Sequence, residues 1–176
     1  MNEEQAAALM QLIAGLPADH YAVVDGARFD DLPGTLTELG LAPRPLYLEG
    51  ADPQAVANGP YLMPLSDMRQ ASAVLRMIAG QPAAVFWSWP GGMDGLYRHL
   101  RGLNAVQVAR TARPVGPEDY ETLLFRHYDP NVLGLMIEVM DEGQRRTLLG
   151  SSPAIAFFAP KLGAPRLIRG PHAALQ

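Results

Sequence analysis

The chain has 176 residues, no cysteine and a net charge of −4 at neutral pH. That length suits one domain able to bury roughly 70% of its extended surface, and the absence of thiols excludes disulfides and thiolate–metal sites and favours a reducing, cytoplasmic home. Charge is uneven: residues 1–90 carry 4 basic and 10 acidic side chains, residues 91–176 carry 10 and 8, and no basic cluster interleaves with aromatics, which argues for a protein partner and against nucleic acid.

The opening Met1-Asn2-Glu3-Glu4 lacks the cationic lead of a secretory signal, and Pro, Gly or charge cuts each apolar stretch short of the ~20 residues a membrane span needs. From Glu3 to Leu16 the apolar residues recur at helical spacings until Gly15 and Pro17. HYAVVDGA (His20 to Ala27) reads as a buried strand closing on an Asp25-Gly26 turn. Asp30 or Asp31 caps a helix with Leu32, Leu36 and Leu39 on one face and Gly40 as its left-handed stop. Leu46-Tyr47-Leu48 is the next expected strand, and Asp52-Pro53 opens a short helix ending at Asn58-Gly59. Tyr61 to Leu65 is a third strand, whose Pro64 points to an edge or a strand end.

Ser66 is the expected cap of a helix carrying Ala71, Val74, Leu75 and Ile78, stopped by Gly80, and Ala83 to Trp89 is a strongly apolar buried strand. After Pro90-Gly91-Gly92 a helix places Leu96, Leu100 and Leu103 on one face. Val106 and Val108 then alternate with polar residues, and across a Pro/Gly loop (114–117) they pair as a hairpin with an extended run from Tyr120 to Tyr128. Asp129-Pro130 starts a helix striped by Val132, Leu133, Met136, Ile137 and Met140, and Asp141 with Gln144 boxes a last helix that stops at Gly150. Ala154 to Ala159 is a final apolar strand or core segment, and the Pro- and Gly-rich residues 163–176 are expected to form a flexible tail.

These elements predict a single α/β domain over residues 1–162, with a mixed central sheet flanked by helices over about 1–128 and a small helical C-terminal appendage with the last strand over about 129–162.

Chemistry is hard to write onto this chain. The loop WSWPGGMDG (Trp87 to Gly95) has the strand–glycine–helix layout that can hold a phosphate, yet it lacks the Lys and Ser/Thr of a P-loop and the three spaced glycines of a dinucleotide site. Ser88 has Phe86 and Pro90 where a nucleophile elbow needs small residues. His20, His99, His127 and His172 fall into no metal-ligand spacing, and His99 is expected on a helix face beside two arginines that disfavour its charged form. Asp25, at the rim where open sheets bind ligands, more simply holds nearby backbone N–H groups in its turn. Asp129 caps the following helix, and Arg126 reaches a carboxylate or carbonyl to fix the corner between strand and helix. No catalytic residue, metal ligand or cofactor is assigned.

HYAVVDGA, PYLMPL (Pro60 to Leu65), LYRHLRGL (Leu96 to Leu103) and LLFRHYDPNVL (Leu123 to Leu133), followed by LLG (Leu148 to Gly150), resemble in order and spacing the type VI secretion effector-adaptor, or effector-chaperone, family, formerly known only as a domain of unknown function. The resemblance covers about residues 19–150, with Phe-Arg-x-Tyr-Asp-Pro its strongest motif. It implies a cytoplasmic, non-enzymatic protein that binds a secreted effector as cargo and loads it onto the valine-glycine-repeat spike protein. By position it carries over Asp25 and Gly26 (first strand and turn), Tyr61 and Leu62 (central strand), His99 and Leu100 (His-Leu helix), and Phe125, Arg126, Tyr128, Asp129, Pro130 and Leu133 (signature corner), as structural or partner-binding positions. His127 stands where an aromatic or aliphatic residue is usual. Two other readings stay open: a small hydrolase or nucleotide-binding enzyme using the Gly91-Gly92 loop with Asp25, His99 or Asp129, and a structural subunit of the secretion apparatus.

Overall fold

A computed structural model of the chain describes residues 1–17, 19–47, 52–79, 81–113 and 115–171. The expected strand residue Leu48, the helix stop Gly80, the loop residue Pro114 and His172 lie outside the described residues.

The amphipathic stretches fold where their caps place them. Helix α1 (Glu3–Ala14) starts at Asn2, which exchanges hydrogen bonds with Gln5 in a capping box, and α2 (Leu32–Glu38) takes Asp31 as its cap. Asp52 caps α3 (Pro53–Ala57) with proline in its first turn. Helix α4 (Met68–Met77) is capped one residue later than expected: the Asp67 carboxylate accepts the Arg69 and Gln70 N–H groups, while the Ser66 N–H donates to Gln70 Oε1. Helix α5 (Gly92–Leu103) follows the double glycine, α6 (Pro130–Val139) is capped by Asp129, and α7 (Glu142–Leu149) carries the Asp141–Gln144 box and ends at Gly150 with φ +53°.

Six strands form the main sheet: β1 (His20–Asp25), β2 (Arg44–Pro45), β3 (Pro60–Leu65), β4 (Ala84–Ser88), β7 (Ala154–Ala159) and β8 (Ala164–Arg169), in the order β2-β3-β1-β4-β7-β8. Each pairing is antiparallel, so the expected mixed sheet is corrected. The strands are apolar along their length because helices cover both faces of the sheet. Ala22, Val24, Met63 and Phe86 pack with Leu9, Ile13, Leu36 and Val74 on one side, and Val23, Leu62, Val85 and Trp87 pack with Leu96, Leu100, Leu133 and Leu148 on the other. Alternate residues of one strand therefore enter two different cores.

Strand β2 covers only Arg44 and Pro45, one step before the expected Leu46, which is fully buried and donates its N–H to the Pro60 carbonyl at 2.9 Å. Because β2 reaches only Tyr61 and Leu62, Pro64 lies where β3 has a partner on the β1 side alone, as its missing N–H requires. The C-terminal end is also corrected. In place of a helical appendage followed by a flexible tail, α7 leads into the central-sheet strand β7 and then β8, whose six residues pair with β7 from Ala154↔Arg169 to Ala159↔Ala164. Strand β7 is buried throughout, which is why the chain must supply a further strand beyond it.

The hairpin stands apart from this sheet. Among the described residues, strands β5 (Ala105–Ala109) and β6 (Tyr120–Leu124) pair only with each other, and residues 125–128 turn away as an irregular corner where an extended run was expected.

Candidate functional site

The corner after β6 gathers the most unusual charges in the molecule. Asp25, at the end of β1, is fully buried; its Oδ1 accepts the Ala27 N–H at 3.2 Å in a 3-10 turn, the role expected for an Asp-Gly turn. Its Oδ2 accepts an Arg126 guanidinium N–H at 2.8 Å and lies 3.5 Å from Arg28 Nε. Asp129 splits its carboxylate in the same way. Oδ1 accepts the Asn131 and Val132 N–H groups at the start of α6, and Oδ2 faces Arg126 at 3.4 Å and Arg28 at 3.5 Å. Two buried acids thus share two half-exposed guanidinium groups, and the cluster is formally neutral. Burial pulls Arg126 toward its neutral form, but the Asp25 and Asp129 carboxylates outweigh it and leave its pKa raised.

Tyr128 closes the cluster. Its hydroxyl meets that of Tyr47 at 2.6 Å, and burial, aided by this bond, pushes its pKa up. Gly26, the next expected residue, approaches another backbone so closely that a Cβ there would sit 2.4 Å from the Gly59 carbonyl oxygen and 2.7 Å from that of Ala57. Pro130 occupies the first turn of α6, while Phe125, Leu133, Leu62 and Leu100 are buried in the core behind the corner. Tyr61 belongs to the opposite core, its hydroxyl donating to the Val56 carbonyl.

His99 lies elsewhere. Its ring stacks on Trp89 at 4.9 Å, stands edge-on to Trp87, and its Nε2–H donates to the Leu148 carbonyl at 2.8 Å. Burial, partly opposed by that carbonyl, lowers its pKa; the cause is burial and not the flanking arginines. Trp89 also accounts for the glycine loop: a Cβ on Gly91 or Gly95 would come within 2.8 or 3.0 Å of its indole nitrogen. Ser88 is fully buried, its hydroxyl donating to the Pro17 carbonyl. Among the described residues no cluster of three or more His, Asp or Glu is arranged to hold a metal, and no helix is long and apolar enough to cross a membrane.

His127 is fully buried between Phe125 and Tyr128. Asn104 uses its Nδ2–H on the Leu46 carbonyl, so its Oδ1 must accept the His127 Nε2–H, at 3.1 Å, and among the described residues Nδ1 has no hydrogen-bond partner. Burial and the nearby His99, partly opposed by the Leu100 carbonyl, hold its pKa down at about 3.

The sequence reading missed Arg28, Tyr47, Asn104 and Trp89. Arg28 had a signal, three residues beyond Asp25. Tyr47 had none, since its partner is 81 residues away.

Outside the corner, a groove of about 760 Å³ is lined by β5 and the α6–α7 pair, with the buried Leu103 and Phe125 also in its lining. Helix α6 carries one charged residue, Glu138, and exposes Leu135 (50%) and Val139 (75%), while β6 exposes Leu123 and Leu124. A helix this apolar on all sides is normally covered.

The class defined here is a single-domain, three-layer α/β protein with an antiparallel central sheet, an excluded hairpin and a charge-locked corner joining that hairpin to α6. The sequence model for Domain of unknown function (DUF4123) matches residues 20–147, and the chain belongs to that family. No curated protein and no solved structure matches it.

Proposed function

We propose that this chain is a cytoplasmic, non-enzymatic adaptor that binds a type VI secretion effector and loads it onto the valine-glycine-repeat spike protein. The observation that carries the proposal is how the signature residues are used. Asp25, Arg126, Tyr128 and Asp129 are engaged with one another and with backbone N–H groups, and what they hold in place is a hairpin and a helix with uncovered apolar side chains. Such a patch favours a macromolecular partner. The motif order that resembles effector adaptors favours the same reading.

The enzyme reading draws little support. Its groups do not converge in one pocket: Asp25 and Asp129 are spent on caps and ion pairs, His99 bonds the Leu148 carbonyl and stacks on Trp89, Gly91 leaves room for the Trp89 indole, and Gly92 serves a turn with φ +69°. The adaptor reading is tested by co-expressing the chain with the products of its neighbouring genes. An effector should co-purify with it, and deleting the chain should abolish that effector's secretion. A chain that captures neither effector nor spike, and whose loss leaves secretion intact, is not an adaptor; a constitutive homo-oligomer would instead favour a structural subunit.

A further inference from the structure

The free edge of β5 has the geometry of a strand-acceptor site. At the two ends of the hairpin ladder the Arg110 N–H donates to the Asp119 carbonyl and the Phe125 N–H to the Asn104 carbonyl. Residues 104 and 110 therefore face β6, and by the alternation of an antiparallel pair so do Val106 and Val108. The N–H and C=O groups of Ala105, Gln107 and Ala109 point the other way, and among the described residues they make no hydrogen bond.

That outer edge faces the groove. Four consecutive residues, Val106 to Ala109, line it, although their side chains alternate between the hairpin's two faces, and no residue of β6 does. A groove against one face of the hairpin would touch alternate residues of both strands; one along the edge touches successive residues of one strand. The groove is also lined by the apolar side chains of Met136, Val139, Met140 and Leu148. Asp141 is the one charged side chain among the lining residues, and its Oδ1 is engaged with the Gln144 N–H.

We infer that the groove lined by β5 and α6–α7 accepts an extended segment of a partner polypeptide as a third strand on β5, with alternate apolar side chains against α6 and a basic residue toward Asp141. The hydrogen-bonding edge selects an extended backbone over a helix, whose own N–H groups are already used. The apolar lining selects period-two apolar side chains, and the lone acid sets the sign of the flanking charge. The assignment specifies where the cargo of the proposed adaptor docks and rests on that reading for the partner's being an effector; the strand edge itself requires only a polypeptide.

A displayed library of random 12-residue peptides, panned on the intact chain, tests the site without an identified cargo. Enriched peptides should alternate apolar residues beside a Lys or Arg, and should slow hydrogen exchange at the Gln107 and Ala109 amides. They should bind Gln107→Pro and Val139→Glu at least ten-fold more weakly. Gln107→Pro removes an outward N–H and spares the β5–β6 ladder; Val139→Glu changes a mostly exposed side chain, so it serves if the proline variant misfolds. No enrichment, helical apolar spacing, or binding that leaves these amides unprotected would overturn the inference. So would concentration-dependent dimers abolished by Gln107→Pro, which would make a second copy the occupant. Effector co-purification is scored separately: an effector that binds the chain while the edge behaves as inert removes the docking site and leaves the adaptor reading standing.

Discussion

Asp129 combines a helix cap with an ion pair, and two substitutions separate them. Asp129→Ala loses both and should cost about 1–2 kcal/mol, most of it from the cap because the arginines are partly solvent-screened. Asp129→Asn keeps a side-chain oxygen for the Asn131 and Val132 N–H groups and should fall within about 0.5 kcal/mol of the parent in urea unfolding. Equal losses in both variants would show that the charge dominates. His127 should make the fold acid-sensitive. The unfolded chain takes up a proton near the ordinary value of 6.5 and the folded chain only near about 3, so between these values the unfolded state binds more protons and stability rises with pH. From pH 7 to pH 5 this one group removes about 2 kcal/mol. His127→Phe should flatten that slope, and an unchanged slope would mean that the ring is already charged or solvated in the folded protein.

At the scale of elements, the turn between β1 and α2 is held by contact and not by strained dihedral angles. Gly26→Ala would drive a methyl group into two backbone carbonyls that no side-chain motion can clear, and a cost of about 3 kcal/mol is expected in thermal or chemical unfolding. Gly40 provides the contrast: φ is +72° with open space around it, so Gly40→Ala should cost only about 1 kcal/mol through backbone strain. The second glycine's role was legible in the sequence, because a left-handed stop follows a periodic helix at a fixed place. The first was legible only as a turn, since Gly59, whose carbonyl forbids a Cβ, stands just ahead of β3, 33 positions away along the chain. The caps Asp31, Asp52, Asp129 and Asp141 could be read for the same reason that Gly40 could: each acts within four residues of itself. Ser66 was misread as a cap because Asp67, a comparable acceptor, stands beside it.

For the whole molecule, β8 matters more than its Pro- and Gly-rich sequence suggests. The family match at 20–147 leaves out α1, β7 and β8, yet these close one edge of the main sheet and pack against one another. A chain ended at Leu162 would leave the buried strand β7 as an open edge and strip Leu167 from the first core. It should be insoluble or unfold without a cooperative transition, whereas a true flexible tail could be removed with no change in melting temperature.

By itself the sequence determined what is local: helix starts and stops, the alternation of apolar runs, the Asp25-Gly26 turn, and an Asp129-Pro130 corner fit to begin a helix. Those follow from backbone groups that a neighbouring side chain must satisfy. Only the tertiary structure decided that the apolar runs pair antiparallel, that the last strands belong to the main sheet, and that Arg126 joins Asp25 across 101 positions of chain. Strand direction and long-range ion pairs depend on which faces are buried against which, a choice made by summing many weak contacts at once, and no short window of residues carries that sum.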